Sequence, residues 1–273
     1  EPVTGMGGGG MQPHGGPIQK KALPGVRYIV AVASGKGGVG KSTVATNLAV
    51  GLRELGFSVG LLDADIYGPS LPTMMGVDSK PLAGPDKKIL PVKAYGISCL
   101  SIGLLVPKEQ AVIWRGPMIM GALRNFIQDT AWGDLDYLIV DLPPGTGDTQ
   151  LSLIQSVDLQ GAVIVTTPQQ VALDDAVRGI AMFRKLEVPI LGLVENMSWY
   201  ELPDGSKDHV FGEGGGVRTA QEHDAPLLAQ IPLQSRIRAS GDAGQPAVLG
   251  HDSAAAAFKG LAAKVAASLP VAG

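Results

Sequence analysis

The chain has 273 residues, 45% of them hydrophobic and 17% charged, with a formal net charge of −3 from 22 basic and 25 acidic side chains. That size and balance suit one large soluble α/β domain with a well-buried core and exclude a broad basic surface for nucleic acid or anionic lipid. The single cysteine, Cys99, excludes an intrachain disulfide framework and any two-cysteine metal motif within one chain. No apolar run approaches the roughly 20 residues of a membrane-spanning helix and no secretory signal pattern stands at the start, so the expected setting is cytoplasmic, with no membrane or nucleic-acid partner.

Residues 1–25 are rich in glycine and proline with no apolar period and read as a flexible linker or tail; His14 within it reads as solvated. The domain proper is expected over 26–273. Its first strand, "YIVAVAS" (28–34), leads into "GKGGVGKS" (35–42), the frame G-x-x-x-x-G-K-S, followed by a helix over 42–55. In this context Gly35, Lys36, Gly37, Gly38, Val39 and Gly40 form a loop whose backbone N–H groups turn toward one anion. Lys41 would neutralise the β- and γ-phosphates, and the Ser42 hydroxyl would ligate Mg²⁺.

The second strand, "SVGLLDAD" (58–65), ends in Asp63 and Asp65, which share a face by their spacing of two and are both candidates for a Mg²⁺ site and its attacking water. Either can instead cap the following turn. "GISCLSIG" (96–103) reads as a strand in which Cys99 is a small core residue. A helix is expected over 118–132. "YLIVDLPP" (137–144) then places Asp141 at a strand end, where a carboxylate can hold a Mg²⁺-bound water, and "PPGTG" behind it suits a loop that senses a γ-phosphate. Two more strands, "GAVIVTTP" (161–168) and "ILGLVEN" (190–196), flank a helix over 169–186. The alanine-rich stretch 253–269 reads as a helix packed on the domain, because its polar face offers only Lys259 and Lys264 to a membrane surface. Strand–helix alternation of this kind implies a mostly parallel sheet with helices on both faces and ligands at the carboxyl ends of the strands.

Together "KGGVGKST", "DADIYGPS", "IWRGPM", "DLPPGTGD", "TTPQQVALDDAVRGIAMF", "ENMS", "FGEGGG" and "IPLQSRIR" resemble the Mrp/ApbC family of P-loop ATPases, relatives of MinD, ParA and the nitrogenase iron protein, in order from about Tyr28 to Pro246. The resemblance implies a three-layer fold of the deviant Walker A (SIMIBI) class. It also implies a cytosolic, Mg²⁺-dependent, ATP-hydrolysing homodimer that carries a 4Fe–4S cluster to apoprotein clients. Family members often have a small domain before the ATPase, and the glycine-rich start resembles the linker that would follow it. Carried across, the resemblance makes Lys41 and Ser42 the phosphate and Mg²⁺ ligands, with Thr43 beside them in the nucleotide site, Asp65 the water-positioning carboxylate and Asp141 the Mg²⁺-linked one. Asn196 would read the base, its amide matching the donor and acceptor edge of adenine, with Pro232 along the base's other side. The early Lys36 would reach across a dimer to the partner's nucleotide, in the manner of an arginine finger supplied in trans.

The pattern departs from the family after "ENMS". Where cluster carriers have C-x-x-C, this chain reads "WYELPDGSKDHVFG" (199–212), with Leu202 and Gly205 about where the cysteines stand and the segment one residue shorter. Thiolates are the chief protein ligands of iron–sulfur clusters, so the iron–sulfur ligands are left unassigned; Cys99 and His209 are the two substitutes to weigh. An ATP-switched scaffold without a cluster, or a positioning ATPase like MinD or ParA, is the alternative function.

Overall fold

The computed structural model describes residues 22–66, 68–84, 86–105 and 116–271, with the backbone alone over 116–120. Most of the expected linker, residues 1–21, therefore lies outside the described residues, as do residues 106–115 with the first part of "IWRGPM".

Five apolar runs become five adjacent parallel strands. β1 (Val26–Ala33) is central and pairs with β7 (Leu135–Asp141) on one side and β8 (Gly161–Thr166) on the other; β2 (Val59–Asp63) lies beyond β7, and β9 (Ile190–Glu195) beyond β8. The sheet is extended by β6 (Ile97–Ser101) and the antiparallel β5 (Val92–Ala94) at one edge and by β12 (Leu227–Gln230) at the other, giving the order β12-β9-β8-β1-β7-β2-β6-β5. Alternate residues feed two separate cores. Val30, Val32, Tyr137 and Ile139 face one, while Ile29, Ala31, Leu138 and Val140 face the other, as expected of strands buried on both faces.

The first core is covered by α1 (Lys41–Glu54) and α9 (Ser253–Ser268), which pack on each other. Asp252 caps α9 by accepting from the Ala255 N–H at 2.7 Å, and Ala254, Ala255, Phe258, Leu261, Ala262 and Val265 are fully buried beneath it. The alanine-rich stretch is thus a core helix. Tyr28 and Tyr137 hydroxyls donate to the carbonyls of Pro270 and Leu269 at 2.9 and 2.5 Å and fasten its far end. The second core lies under α4 (Gly116–Gln128), α5 (Asp148–Ser156) and α6 (Gln170–Lys185), through Leu123, Ile127, Leu153, Ile154, Ala176, Ile180 and Phe183.

Several elements end earlier than the sequence suggests, and for two of them the hydrogen bonds show why. The helix expected over 118–132 stops at Gln128; Ala131 N–H then donates to the Ile89 carbonyl at 2.9 Å, and the Trp132 indole folds back onto the Ile127 carbonyl at 3.1 Å. The second strand stops at Asp63 because the Asp65 N–H turns back onto the Asp63 carboxylate at 3.1 Å. Among the described residues no helix is long and apolar enough to cross a membrane.

Candidate nucleotide-binding site

Parallel register decides where the loops meet. Val32 and Asp63 both pair with Asp141, and Thr166 pairs with Glu195, so the strands deliver their following residues to one edge of the sheet at one level. Beyond β1 the loop 34–40 runs into the N-terminus of α1, with Gly38 and Gly40 at φ +83° and +84°. Gly40 is doubly constrained: its backbone is left-handed, and a Cβ there would overlap the Asn196 amide nitrogen.

Lys41 is the first residue of α1, yet its side chain is only 6% exposed. Its ammonium lies 2.5 Å from Asp141 Oδ1, 3.8 Å from Asp65 Oδ2 and 3.2 Å from the Ser42 hydroxyl. Burial raises the Asp141 carboxyl above the ordinary carboxylate range, opposed by the Lys41 charge and by hydrogen bonds from Lys41 and Ser42. Four predicted residues therefore form one buried charged cluster at a helix N-terminus, where backbone N–H groups favour an anion. Such a cation held by carboxylates is positioned to exchange them for phosphate oxygens. The hydroxyl and carboxylates of Ser42, Asp65 and Asp141 are also the hard oxygen donors that suit Mg²⁺ together with a phosphate.

Asp63 has the capping geometry. One oxygen accepts from the Asp65 N–H; the other accepts from the N–H groups of Ser70 and Leu71, at 3.0 and 3.1 Å, and from the Ser101 hydroxyl at 2.9 Å. Burial and the neighbouring Asp141 push its carboxyl up to about 7, against those donors. It joins the entry to α2 (Leu71–Met74) to the end of β6, and although it lies beside Asp141 it makes no ion pair with Lys41. Lys36 is half-buried, and its side chain has no hydrogen-bond or ion-pair partner among the described residues.

Beside the loop lies a cavity of about 430 Å³, lined by Gly40, Thr43, Asn196 and Pro232 together with Met74 on α2 and Ile237 on α8 (Ser235–Asp242). Its size and mostly apolar wall suit the nucleoside part of a nucleotide. Asn196 is 6% exposed and donates to the Val39 carbonyl at 2.9 Å, so the residue expected to read the base also grips the phosphate loop. Sequence reading missed Asn47, whose amide donates to the Thr43 carbonyl and accepts from the Val248 N–H, both at 2.8 Å, joining α1 to the short turn Ala247–Leu249, whose Ala247 also lines the cavity. A polar residue one helical turn after Thr43, on the apolar side of α1, was the available signal.

The segment after β9 forms a small hairpin of β10 (Tyr200–Glu201) and β11 (Lys207–Asp208). Leu202 and Gly205 lie in its exposed turn. Cys99 is fully buried in β6, and burial pushes its thiol up to about 12, so it is no ready thiolate. The His209 Nδ1 lies 3.2 Å from the Ser198 carbonyl. These two residues belong to opposite ends of the sheet: β6 and β9 are five positions apart, on the order of 24 Å at strand spacing. Among the described residues no group of three or more His, Cys, Asp or Glu side chains is arranged to hold a metal by itself.

A family model described as the ParA: NUBPL iron-transfer P-loop NTPase matches residues 25–266. The chain belongs to this family. It is 55% identical over 238 residues to the iron–sulfur cluster carrier protein of Deinococcus radiodurans, covering 86% of this chain and 67% of that one. With the carrier protein of Aquifex aeolicus it shares 49% over 235 residues, covering 85% and 65%, so the chain spans about two thirds of the length of these relatives. A nucleotide-binding protein of Archaeoglobus fulgidus in complex with ADP superimposes with a TM-score of 0.74 at 38% identity, covering 83% of this chain and 90% of that one. The mostly parallel α/β P-loop NTPase fold and a nucleotide-binding role follow from the family.

Proposed function

We propose that this chain binds and hydrolyses ATP with Mg²⁺, as a homodimer, in the cytoplasmic handling of iron–sulfur clusters for apoprotein clients. The observation that carries the reading is the buried Lys41, held between Asp141 and Asp65 beside a nucleoside-sized cavity. Lys41 and the loop N–H groups would hold the phosphates, and Asn196, Pro232 and Thr43 the base end. Asp65 would orient the attacking water. Ser42 and Asp141 would hold Mg²⁺, Asp141 through water, and the ion would neutralise charge on the phosphates. Asp63 is left out of this set because its oxygens already accept four hydrogen bonds.

Lys36 supports the dimeric part of the reading. A half-buried cation in the phosphate loop, without an ion-pair partner in its own described residues, is available to a second copy's phosphates. Lys36→Ala is expected to retain ATP binding within about tenfold while phosphate release falls by about 10³, the range of a charge supplied in trans. Full turnover in that variant would remove the dimeric mechanism.

The absence of C-x-x-C and the buried Cys99 favour one second reading, an ATP-switched scaffold that assists cluster transfer without holding the cluster in its own hairpin. Anaerobic reconstitution followed by iron analysis separates the two. Stoichiometric iron per dimer supports the carrier; no iron, with ATP-dependent stimulation of an apoprotein's loading by another donor, supports the scaffold.

A further inference from the structure

Glu195 ends β9 and is 1% exposed, yet among the described residues it has no ion-pair partner. Its carboxylate instead collects three donors from three segments. Oε1 accepts from the Ser198 hydroxyl at 2.9 Å and from the Gln230 amide at 2.8 Å, and Oε2 accepts from the Gly216 N–H at 2.6 Å. The last donor lies in the first turn of α7 (Gly215–Glu222), where a helix N-terminus favours negative charge. A Cβ on Gly216 would overlap Oε2, so that helix can approach the carboxylate closely only as glycine. The Glu195 carbonyl accepts from the Ile231 N–H at 2.9 Å and lies 2.8 Å from the Ser198 hydroxyl, whose single proton it shares with Oε1.

These bonds surround a strained turn. Met197 adopts φ +56°, a left-handed conformation uncommon for a residue with a Cβ, and the chain leaves it through a Ser198 N–H to Ile231 carbonyl bond at 2.9 Å. Asn196 sits between the carboxylate and that strained residue, and from there reaches the Val39 carbonyl and lines the cavity. We infer that Glu195 is a positioning residue for nucleotide recognition: it ties β12 and α7 to the turn that aims Asn196 at the base end of the site. It acts through Asn196 rather than on the phosphates. The inference rests on the nucleotide reading above and goes beyond it by separating what holds the base from what holds the phosphate chain.

Glu195→Gln keeps the side chain's shape but replaces one acceptor by a donor facing the Gln230 amide or the Gly216 N–H. Binding of ATP and of inorganic tripolyphosphate, each with Mg²⁺, is measured by calorimetry on the whole chain. In E195Q the ATP affinity is expected to fall about tenfold, the worth of roughly one well-aimed hydrogen bond, while tripolyphosphate affinity stays within about twofold of wild type, since the Lys41 cluster is untouched. Gln230→Leu, which removes one donor from outside the turn, is expected to give the same split at about threefold and serves if E195Q does not fold. Unchanged ATP affinity in the folded variants, or parallel loss of both ligands, overturns the inference alone. A wild-type chain that binds tripolyphosphate but not ATP overturns the nucleotide reading and this inference with it.

Discussion

The phosphate-loop corner and the β10–β11 hairpin lie at the same carboxyl edge of the sheet, but they are built on opposite principles. In the corner, Lys41, Asp63, Asp65 and Asp141 are buried charges, each fixed by partners from other strands or loops. In the hairpin, two-residue strands carry exposed side chains held locally: Asp204 accepts from the hydroxyl and N–H of Ser206, which hold its carboxyl below the usual range, and Lys207 lies over the Trp199 ring at 3.8 Å. A missing partner is costly among buried charges and cheap among exposed ones. The corner therefore tolerates few sequences, whereas the hairpin can exchange its exposed residues without unfolding the domain.

Substitutions in the two regions break or sharpen that comparison. Gly40→Ala is expected to have the largest effect, lowering ATP affinity more than about a hundredfold by forcing a Cβ into Asn196 at left-handed φ; calorimetric titration checks it, and near-normal affinity would mean that the corner is plastic. Asp63→Asn should destabilise the fold by about 2–4 kcal/mol in urea melts at neutral pH, since three N–H groups and a hydroxyl lose a carboxylate acceptor. That penalty carries a pH signature. Because the folded pKa of Asp63, about 7, stands above the unfolded value, the fold takes up a proton there, and this group's contribution to stability declines as pH rises from about 4 to about 7. The wild-type advantage over D63N should accordingly shrink between pH 5 and pH 8; an advantage that grows instead would show the four donors outweighing burial. Lys207→Ala in the hairpin should cost only about 0.5–1 kcal/mol and leave ATP affinity unchanged, and a larger loss would place the hairpin within the rigid corner.

The central strands and helices were legible because each strand is apolar on both faces and each helix sits between turn signals. Lys41 and Ser42 were legible for a different reason, the spacing G-x-x-x-x-G-K-S between a strand and a helix, and Asp141 because a charged residue at the close of an apolar run falls at a strand end, where a parallel sheet gathers such residues. Asp63 shows the limit of that rule. Its spacing from Asp65 allowed both a metal role and a cap, and only the distances to Ser70, Leu71 and Ser101 favour the cap. Glu195 was hidden beside Asn196 because its three carboxylate partners, Ser198, Gly216 and Gln230, lie up to 35 residues away, a separation no local pattern encodes. The fate of Cys99 followed from its apolar neighbours in "GISCLSIG", whereas the missing thiolates of the hairpin were visible simply as residues that are not cysteine.

The pairing of Val32 and Asp63 with Asp141 across β1, β7 and β2 makes the site a property of alignment as much as of composition. Sliding β2 by one residue against β7 would displace Asp65 by about 3.3 Å along the strand and turn Asp63 to the opposite face, with every candidate site residue still present in the chain. The buried side chains that hold this alignment, Leu61 against Ile139 and Leu62 against Val140, work as a jig for the chemistry at the edge, and damage to them would read out as lost nucleotide affinity far from the loop that binds it.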